Sequence, residues 1–254
     1  MVFLWCATIA SSIAVIPFAL WQLAQDGFAP AALPFIVATI VVHAAYFYAL
    51  GRAYASGAYS LVYPVARGLG VALVPVLAFF LFDERLSPVG TLGVAFVIAG
   101  IAMLHLLPRR RPGGPRLGHG LLWPILTGFT IAGYSLVDKA GVARINPIPY
   151  IMLMELGCAA LGLPLLFVRP DAVRRELHGW RRIVLAGVMS TLAYTLVLFA
   201  FRMSKTGYVV AARELSIVLS ALIGSLWLRE GSLAPRLAGA AVVLAGVACI
   251  ALAR

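Results

Sequence analysis

Gly93-Val-Ala-Phe-Val-Ile-Ala-Gly-Ile-Ala102 recurs 146 residues later as Gly239-Ala-Ala-Val-Val-Leu-Ala-Gly-Val-Ala248. Gly93, Ala95, Val97, Ala99, Gly100 and Ala102 each meet an identical residue. Small apolar residues coincide by chance in membrane helices, but charges are rare there. The same offset sets Arg67 on Arg213 and Glu84 on Glu230, and lays the apolar run 1–22 on 147–168. The chain therefore reads as an internal repeat, the first feature to settle in any sequence.

The repeated segments belong to an unusually apolar chain. Of 254 residues, 63% are hydrophobic and 11% charged, and the mean hydropathy is +1.00. A soluble domain is about one-quarter charged, so this chain lacks the polar surface to cover a globule in water. A helix crosses the hydrocarbon with about 20 apolar residues. No charge falls within 1–22, 27–51, 86–108, 117–137, 183–201 or 237–253. Runs near 58–82, 147–168 and 207–228 are interrupted only by Arg67, by Glu155, and by Arg213 with Glu214. The expectation is an all-α, polytopic transmembrane bundle of about nine spans. Barrel strands alternate polar and apolar residues, and these runs are apolar throughout. The first run lacks the basic start of a signal peptide and is kept as a span.

The net charge of +11 does not point to nucleic acid, because the arginines cluster in short loops at span ends. Twelve Lys and Arg residues fall on one set of loops and six on the other. The positive-inside rule puts the set of twelve in the cytoplasm and the C-terminus outside. Cys6, Cys158 and Cys249 lie in apolar spans without a C-x-x-C pair, so neither a disulfide nor a metal site is expected. Phosphate-binding loops, H-E-x-x-H and G-x-S-x-G are absent from the sequence. No catalytic residue, metal or cofactor is expected, and the chain is not read as an enzyme.

A repeat of five helices crosses an odd number of times, so its second copy runs in the opposite sense, as in many secondary transporters. The span 117–137 has no counterpart ahead of 1–22. The expected organisation is a first repeat over 1–107 with four spans, an Arg-, Pro- and Gly-rich linker at 108–119, and a second repeat over 120–254 with five. The first helix of the first repeat is absent, and the natural gene is expected to extend upstream.

Three groups of residues carry a family resemblance: Ser60-Leu-Val-Tyr-Pro-Val-Ala-Arg67; Asp83-Glu-Arg-Leu-Ser-Pro88 with Gly93–Gly100; and Arg213-Glu214, Leu228-Arg-Glu230 and Gly239–Gly246. Together they resemble an EamA-type transporter of the drug/metabolite transporter superfamily. The resemblance covers nearly the whole chain and implies a ten-helix carrier of small metabolites that works without ATP, with both ends in the cytoplasm. That orientation is the reverse of the charge reading.

Arg67 and Arg213 are the leading site residues, because a charge at mid-membrane normally faces a wet cavity or a partner. A pseudo-two-fold axis would bring both to one central region, where they would bind a substrate carboxylate or phosphate. The structural alternative pairs each with a carboxylate. Loss of either arginine is expected to abolish transport and leave membrane insertion intact. Tyr63, Tyr194 and Tyr208 are further substrate-binding candidates, since tyrosine joins an apolar ring to a hydroxyl.

Glu214 and Glu155 are the proton-coupling candidates. Desolvation would keep such a carboxyl protonated and a neighbouring arginine would keep it ionised; the sequence does not choose. Asp138 and Lys139 read as an ordinary interfacial pair at a span end, and His43 as a helix–helix hydrogen bond. Gly93, Gly100, Gly239 and Gly246 read as close-packing positions.

The expected function is a secondary carrier of a small polar or anionic metabolite, working by alternating access in the cell (inner) membrane. The alternatives are a lipid-carrier flippase and a non-transporting assembly subunit. Expected partners are the lipid bilayer and a small-molecule substrate, with a homodimer left open and no nucleic acid.

Overall fold

The computed structural model describes residues 2–56, 59–106, 122–168, 170–216, 218 and 233–253. The linker 108–119 lies outside them. Eleven α-helices occur among the described residues: α1 (Val2–Asp26), α2 (Leu33–Ser56), α3 (Tyr59–Phe82), α4 (Pro88–Leu106), α5 (Leu122–Val142), α6 (Pro147–Gly162), α7 (Leu165–Val168), α8 (Pro170–Leu177), α9 (Trp180–Met203), α10 (Thr206–Arg213) and α11 (Leu233–Leu252). No strand occurs among these residues.

Among the described residues, four helical segments are long and apolar enough to cross a membrane: Val2–Asp26, Pro30–Ala55, Val65–Phe82 and Trp180–Met203. Pro88–Met103, Pro147–Gly162 and Leu237–Leu252 are shorter apolar helices. Their large side chains face outward: Ile13, Phe18, Trp21, Phe80, Leu185 and Leu196 are all exposed. Ser11, Thr39, His43, Asp138, Glu155, Thr191 and Glu214 are buried. Apolar side chains outside and polar ones inside suit a hydrocarbon solvent, where polar groups find their partners within the protein. The chain is an integral, multi-pass membrane protein.

Helix punctuation corrects several sequence boundaries. α1 ends on Gly27 at φ +73, whose N–H donates to the Leu23 carbonyl, the left-handed stop that glycine takes without strain. α5 continues past Asp138 to Val142, although the charge-free run ended at 137. The expected span 147–168 is broken at Leu163–Pro164. The expected span 207–228 is also broken. α10 ends at Arg213, and Glu214 caps it with φ −72 and ψ −4.

The chain forms two compact units. Unit 1 is Met1–Phe47 with Val137–Met203, and unit 2 is Tyr48–Leu136 with Ser204–Arg254. Both units draw on both halves of the sequence. In unit 1, α1 packs on α6 and α9. Trp5 donates its indole N–H to the Ala159 carbonyl at 2.8 Å, and Val2, Trp5, Cys6, Ala7, Val173 and Ile183 form a core cluster. The amphipathic α8 contributes Val173 to that cluster and leaves Arg174 and Arg175 exposed.

In unit 2, α4 packs along α11, and α3 packs on α10. A Cβ at Gly93 would lie 2.7 Å from the Gly246 carbonyl oxygen, and one at Gly100 would lie 2.9 Å from that of Gly239. The four glycines of the quoted repeat thus face each other backbone to backbone, the close approach that small residues permit in membranes. Helix starts recur near the sequence offset: Leu33, Tyr59 and Pro88 are matched by Trp180, Thr206 and Leu233. Counterparts also pack together, α1 with α6, α3 with α10 and α4 with α11.

Candidate functional site

Unit 1 buries two carboxylates. Glu155 sits midway along α6. Ser11 of α1 donates to its Oε2 at 3.1 Å, and Thr191 of α9 donates to its Oε1. Asp138 of α5 is fully buried. Its Oδ1 accepts from Thr39 of α2 at 2.5 Å and from Tyr150 of α6 at 2.8 Å, and its Oδ2 accepts from Tyr194 of α9. Five helices therefore supply the two carboxylates and the hydroxyls that hold them. The hydrogen bonds that reach both come from hydroxyls, which satisfy lone pairs but carry no compensating charge.

His43 lies one helical turn from Thr39. Its Nδ1 is 2.9 Å from Thr39 Oγ1 and 3.0 Å from the Thr39 carbonyl oxygen, and its ring meets that of Tyr194 edge-on at 5.7 Å. These Nδ1 contacts lie within α2. The pairing of Asp138 with Lys139 is corrected. Successive residues point about 100° apart on a helix, and Lys139 Nζ donates to the Phe201 carbonyl at 2.5 Å. Asp138 is an interior residue, not an interfacial one.

A cleft of about 320 Å³ opens in the same unit. Trp5, Thr8, Phe47, Cys158 and Leu161 are among its walls. Cys158 is three residues beyond Glu155, and Thr8 three before Ser11, so the cleft reaches within a helical turn of that carboxylate.

Unit 2 treats its buried carboxylate differently. Glu214 Oε1 lies 3.2 Å from Arg67 Nη1, and the Arg213 guanidinium sits 6.0 Å from the centre of the Tyr134 ring. Glu214 keeps a helical φ as the cap of α10, and the regular helix ends there. Arg67 has the carboxylate partner that its structural alternative named. The Oε2 atom of Glu214 is buried without a hydrogen bond among the described residues.

The other sequence candidates are divided between the two units. Tyr194 and Glu155 belong to unit 1, whereas Arg67, Arg213, Glu214 and Tyr208 belong to unit 2. Tyr208 accepts from the Ser87 N–H at 3.0 Å and its ring lies against Gly90, so it ties α10 to the start of α4. Tyr63 lies in α3, and its side chain is outside the described residues. Glu84 accepts from the N–H and hydroxyl of Thr206 at 2.6 and 3.0 Å, capping α10 at its positive end; the Glu230 side chain is outside the described residues. Among the described residues no group of three or more His, Cys, Asp and Glu gathers as a metal site would require.

Asp138, Thr39, Tyr150, Ser11 and Thr191 were missed from sequence. Single hydroxyls in apolar helices carry no signal of their own. Asp138 was within reach, because continuing the helix past its first charge would have placed it inside.

The family models match in two stretches. The EamA-like transporter family matches residues 118–252, more than half of the chain, and the Small Multidrug Resistance protein family matches residues 1–97. A multidrug transporter of Pseudomonas aeruginosa is 39% identical over 49 residues, covering 19% of this chain and 44% of that one. The multidrug transporter EmrE of Escherichia coli is 29% identical over 30% of this chain and 69% of its own. The quaternary ammonium compound-resistance protein QacF of Klebsiella aerogenes is 32% identical over 29% of this chain and 70% of its own. The chain thus spans less than half of the first relative and about seven-tenths of the other two. A solved crystal structure 20% identical in sequence matches 99% of this chain and 88% of its own with a TM-score of 0.79, which shows a shared fold. On the match over 118–252, the chain belongs to the EamA-like transporter family.

Proposed function

We propose that this protein is a secondary carrier that exchanges a small organic cation for protons by alternating access, with Glu155 as the coupling carboxylate. One observation carries the reading: a buried carboxylate, held only by the hydroxyls of Ser11 and Thr191 among the described residues, within a turn of a cleft walled by Trp5 and Phe47. An aromatic wall suits the apolar body of a cation and attracts its charge, while the carboxylate supplies the counter-charge. A proton and a cation would compete for Glu155, which couples their movements. Relatives named for multidrug and quaternary ammonium transport support the same substrate class.

The architecture proposed with it is nine spans in two inverted repeats, 1–107 and 120–254, joined by 108–119, in the cell (inner) membrane. The recurrence of helix starts and the packing of α1, α3 and α4 on their own counterparts support it. An anionic metabolite is the second reading. Arg67 pairs with Glu214 in unit 2, and Arg213 acts electrostatically on the same carboxylate, so two cations stand in one region where an anion would find counter-charge.

Proteoliposomes with an outward proton gradient test both readings. Tetraphenylphosphonium uptake should follow the gradient and be lost in Glu155→Gln. Gradient-driven uptake of an organic acid, with no uptake of the cation, would establish the second reading instead.

A further inference from the structure

Thr39 has one hydroxyl hydrogen, and it is directed at Asp138 Oδ1, 2.5 Å away. The same oxygen is 2.9 Å from His43 Nδ1. With its hydrogen spent on Asp138, Thr39 Oγ1 is the acceptor from His43. The second neighbour of Nδ1, the Thr39 carbonyl oxygen at 3.0 Å, accepts only. Both contacts therefore put the hydrogen on Nδ1. The protonation of the other ring nitrogen then sets the charge of the ring.

A continuous chain results, running from His43 Nδ1–H to Thr39 Oγ1–H to Asp138, whose remaining bonds come from Tyr150 and Tyr194. All of it lies in unit 1, and His43, Thr39, Tyr150 and Asp138 are buried. A charged Asp inside a membrane helix is costly unless it has a partner. Three hydroxyls satisfy its lone pairs and do not neutralise it. Among the described residues, the titratable groups facing the chain are Tyr46 on α2 itself, Tyr150 and Cys158 from α6 and Tyr194 from α9. Lys139, on α5 itself, donates to Phe201, and Glu155 further along α6 is held by Ser11 and Thr191.

We propose that His43 and Asp138, bridged by Thr39, form a second proton-holding site of the carrier, separate from Glu155. The proton transfer balances within the chain. The imidazolium passes its Nδ1 hydrogen to Thr39 Oγ1 as Thr39 passes its own hydrogen to Asp138 Oδ1, so an ion pair becomes a neutral histidine and a neutral acid. The N–H bond at Nδ1 and the Thr39 O–H bond break; a new Thr39 O–H and an Asp138 O–H form. A proton entering at the ring can thus reach the carboxyl without a bare charge in the bundle. Thr39 is the positioning residue, and Tyr150 and Tyr194 hold the carboxyl for the exchange.

The role in transport rests on the carrier reading; the chemistry of the chain does not. The experiment has a separate arm for each. In the purified, detergent-solubilised protein labelled with ¹⁵N-histidine, the His43 signals are assigned by their loss in His43→Gln. They should report hydrogen on Nδ1 at high pH, where the site holds no proton, and on Nε2 alone once Asp138 has taken the proton. Their response to pH should change in Asp138→Asn and Thr39→Val, return in Thr39→Ser, and stay as in the wild type in Glu155→Gln. A ring with hydrogen on Nε2 alone at high pH, where the site holds no proton, or a His43 response indifferent to both Asp138→Asn and Thr39→Val, overturns the proposal. Should Asp138→Asn fail to fold, the Thr39 pair decides.

In proteoliposomes, Thr39→Val and His43→Gln should reduce gradient-driven tetraphenylphosphonium uptake at least about tenfold, a loss of ~1.4 kcal/mol, while cation binding persists. Unaltered uptake in both variants removes the site from the transport cycle. If the wild type binds no cation, the carrier reading fails, and the histidine spectra still decide the proton chain.

Discussion

Unit 1 and unit 2 each bury acidic side chains within membrane helices, and they stabilise them by opposite means. In unit 1, Glu155 and Asp138 are surrounded by hydroxyls. In unit 2, Glu214 is paired with Arg67 at 3.2 Å. A hydroxyl can donate to a carboxylate or accept from a carboxylic acid, so it tolerates both states. A guanidinium only donates, and protonation of its partner forfeits the attraction. The difference separates groups suited to gain and lose a proton during a cycle from a pair suited to stay charged. On that ground Glu155, of the two coupling candidates read from sequence, is the better placed to couple, and Glu214 the better placed to hold structure.

The strongest way to break this comparison is to exchange the acid in each unit. Glu155→Gln should eliminate gradient-driven cation uptake and leave the folded protein intact, because a glutamine amide can still meet both hydroxyls. Glu214→Gln should destabilise the protein and leave residual transport dependent on the gradient. Transport measured alongside thermal unfolding in detergent separates the two, and a Glu214→Gln protein that folds normally yet has lost proton coupling would reverse the assignment.

Arg67→Ala comes next. Removing one partner of a buried pair costs about 3 kcal/mol; Arg67 is partly exposed and Arg213 also acts on Glu214, so this figure is trimmed. The double variant Arg67→Ala, Glu214→Gln should recover much of that loss, as a double-mutant cycle in unfolding would report. A loss in the double variant equal to the sum of the two single losses would mean that the pair is not coupled.

Gly100→Ala probes the packing beneath unit 2. Its added methyl would lie 2.8 Å from the Val243 backbone nitrogen and 2.9 Å from the Gly239 carbonyl oxygen, so helices must separate, at about 2 kcal/mol. Thr191→Val is subtler. It removes one hydroxyl from Glu155, costs ~1 kcal/mol and should alter the pH profile of uptake. Arg85→Ala is the control: its contact with Asp83 at 3.4 Å joins two exposed side chains, and its loss should change stability by less than about 0.5 kcal/mol.

The sequence made the helical class and the membrane legible because both follow from composition and run length. The glycine repeat predicted a packing seam, and α4 and α11 meet on those glycines. Two helix breaks were not read as ends. Pro164 signals a kink in a span without fixing a stop, and Arg213 with Glu214 read as an interruption of one continuous span. The site was legible only in its charges. Glu155, Glu214 and the arginines stand out because they are rare, whereas Ser11, Thr39 and Thr191 look like any small polar residue in a span. Asp138 was misread for a related reason: a charge was taken to mark the end of its helix, and the fold instead buries it among hydroxyls from α2, α6 and α9.

The account's central claim is that Glu155 gives up a proton when a cation binds, and that claim can be measured without a membrane. In weakly buffered detergent solution, addition of tetraphenylphosphonium to the wild-type protein should release about one proton per cation bound, through the competition of linked ligands for one site. The sign fixes the pH dependence. Cation affinity should rise with pH while Glu155 is protonated and level off once it is not, and Glu155→Gln should release none. Binding that releases no proton from the wild type, or an equal release from Glu155→Gln, would contradict the account.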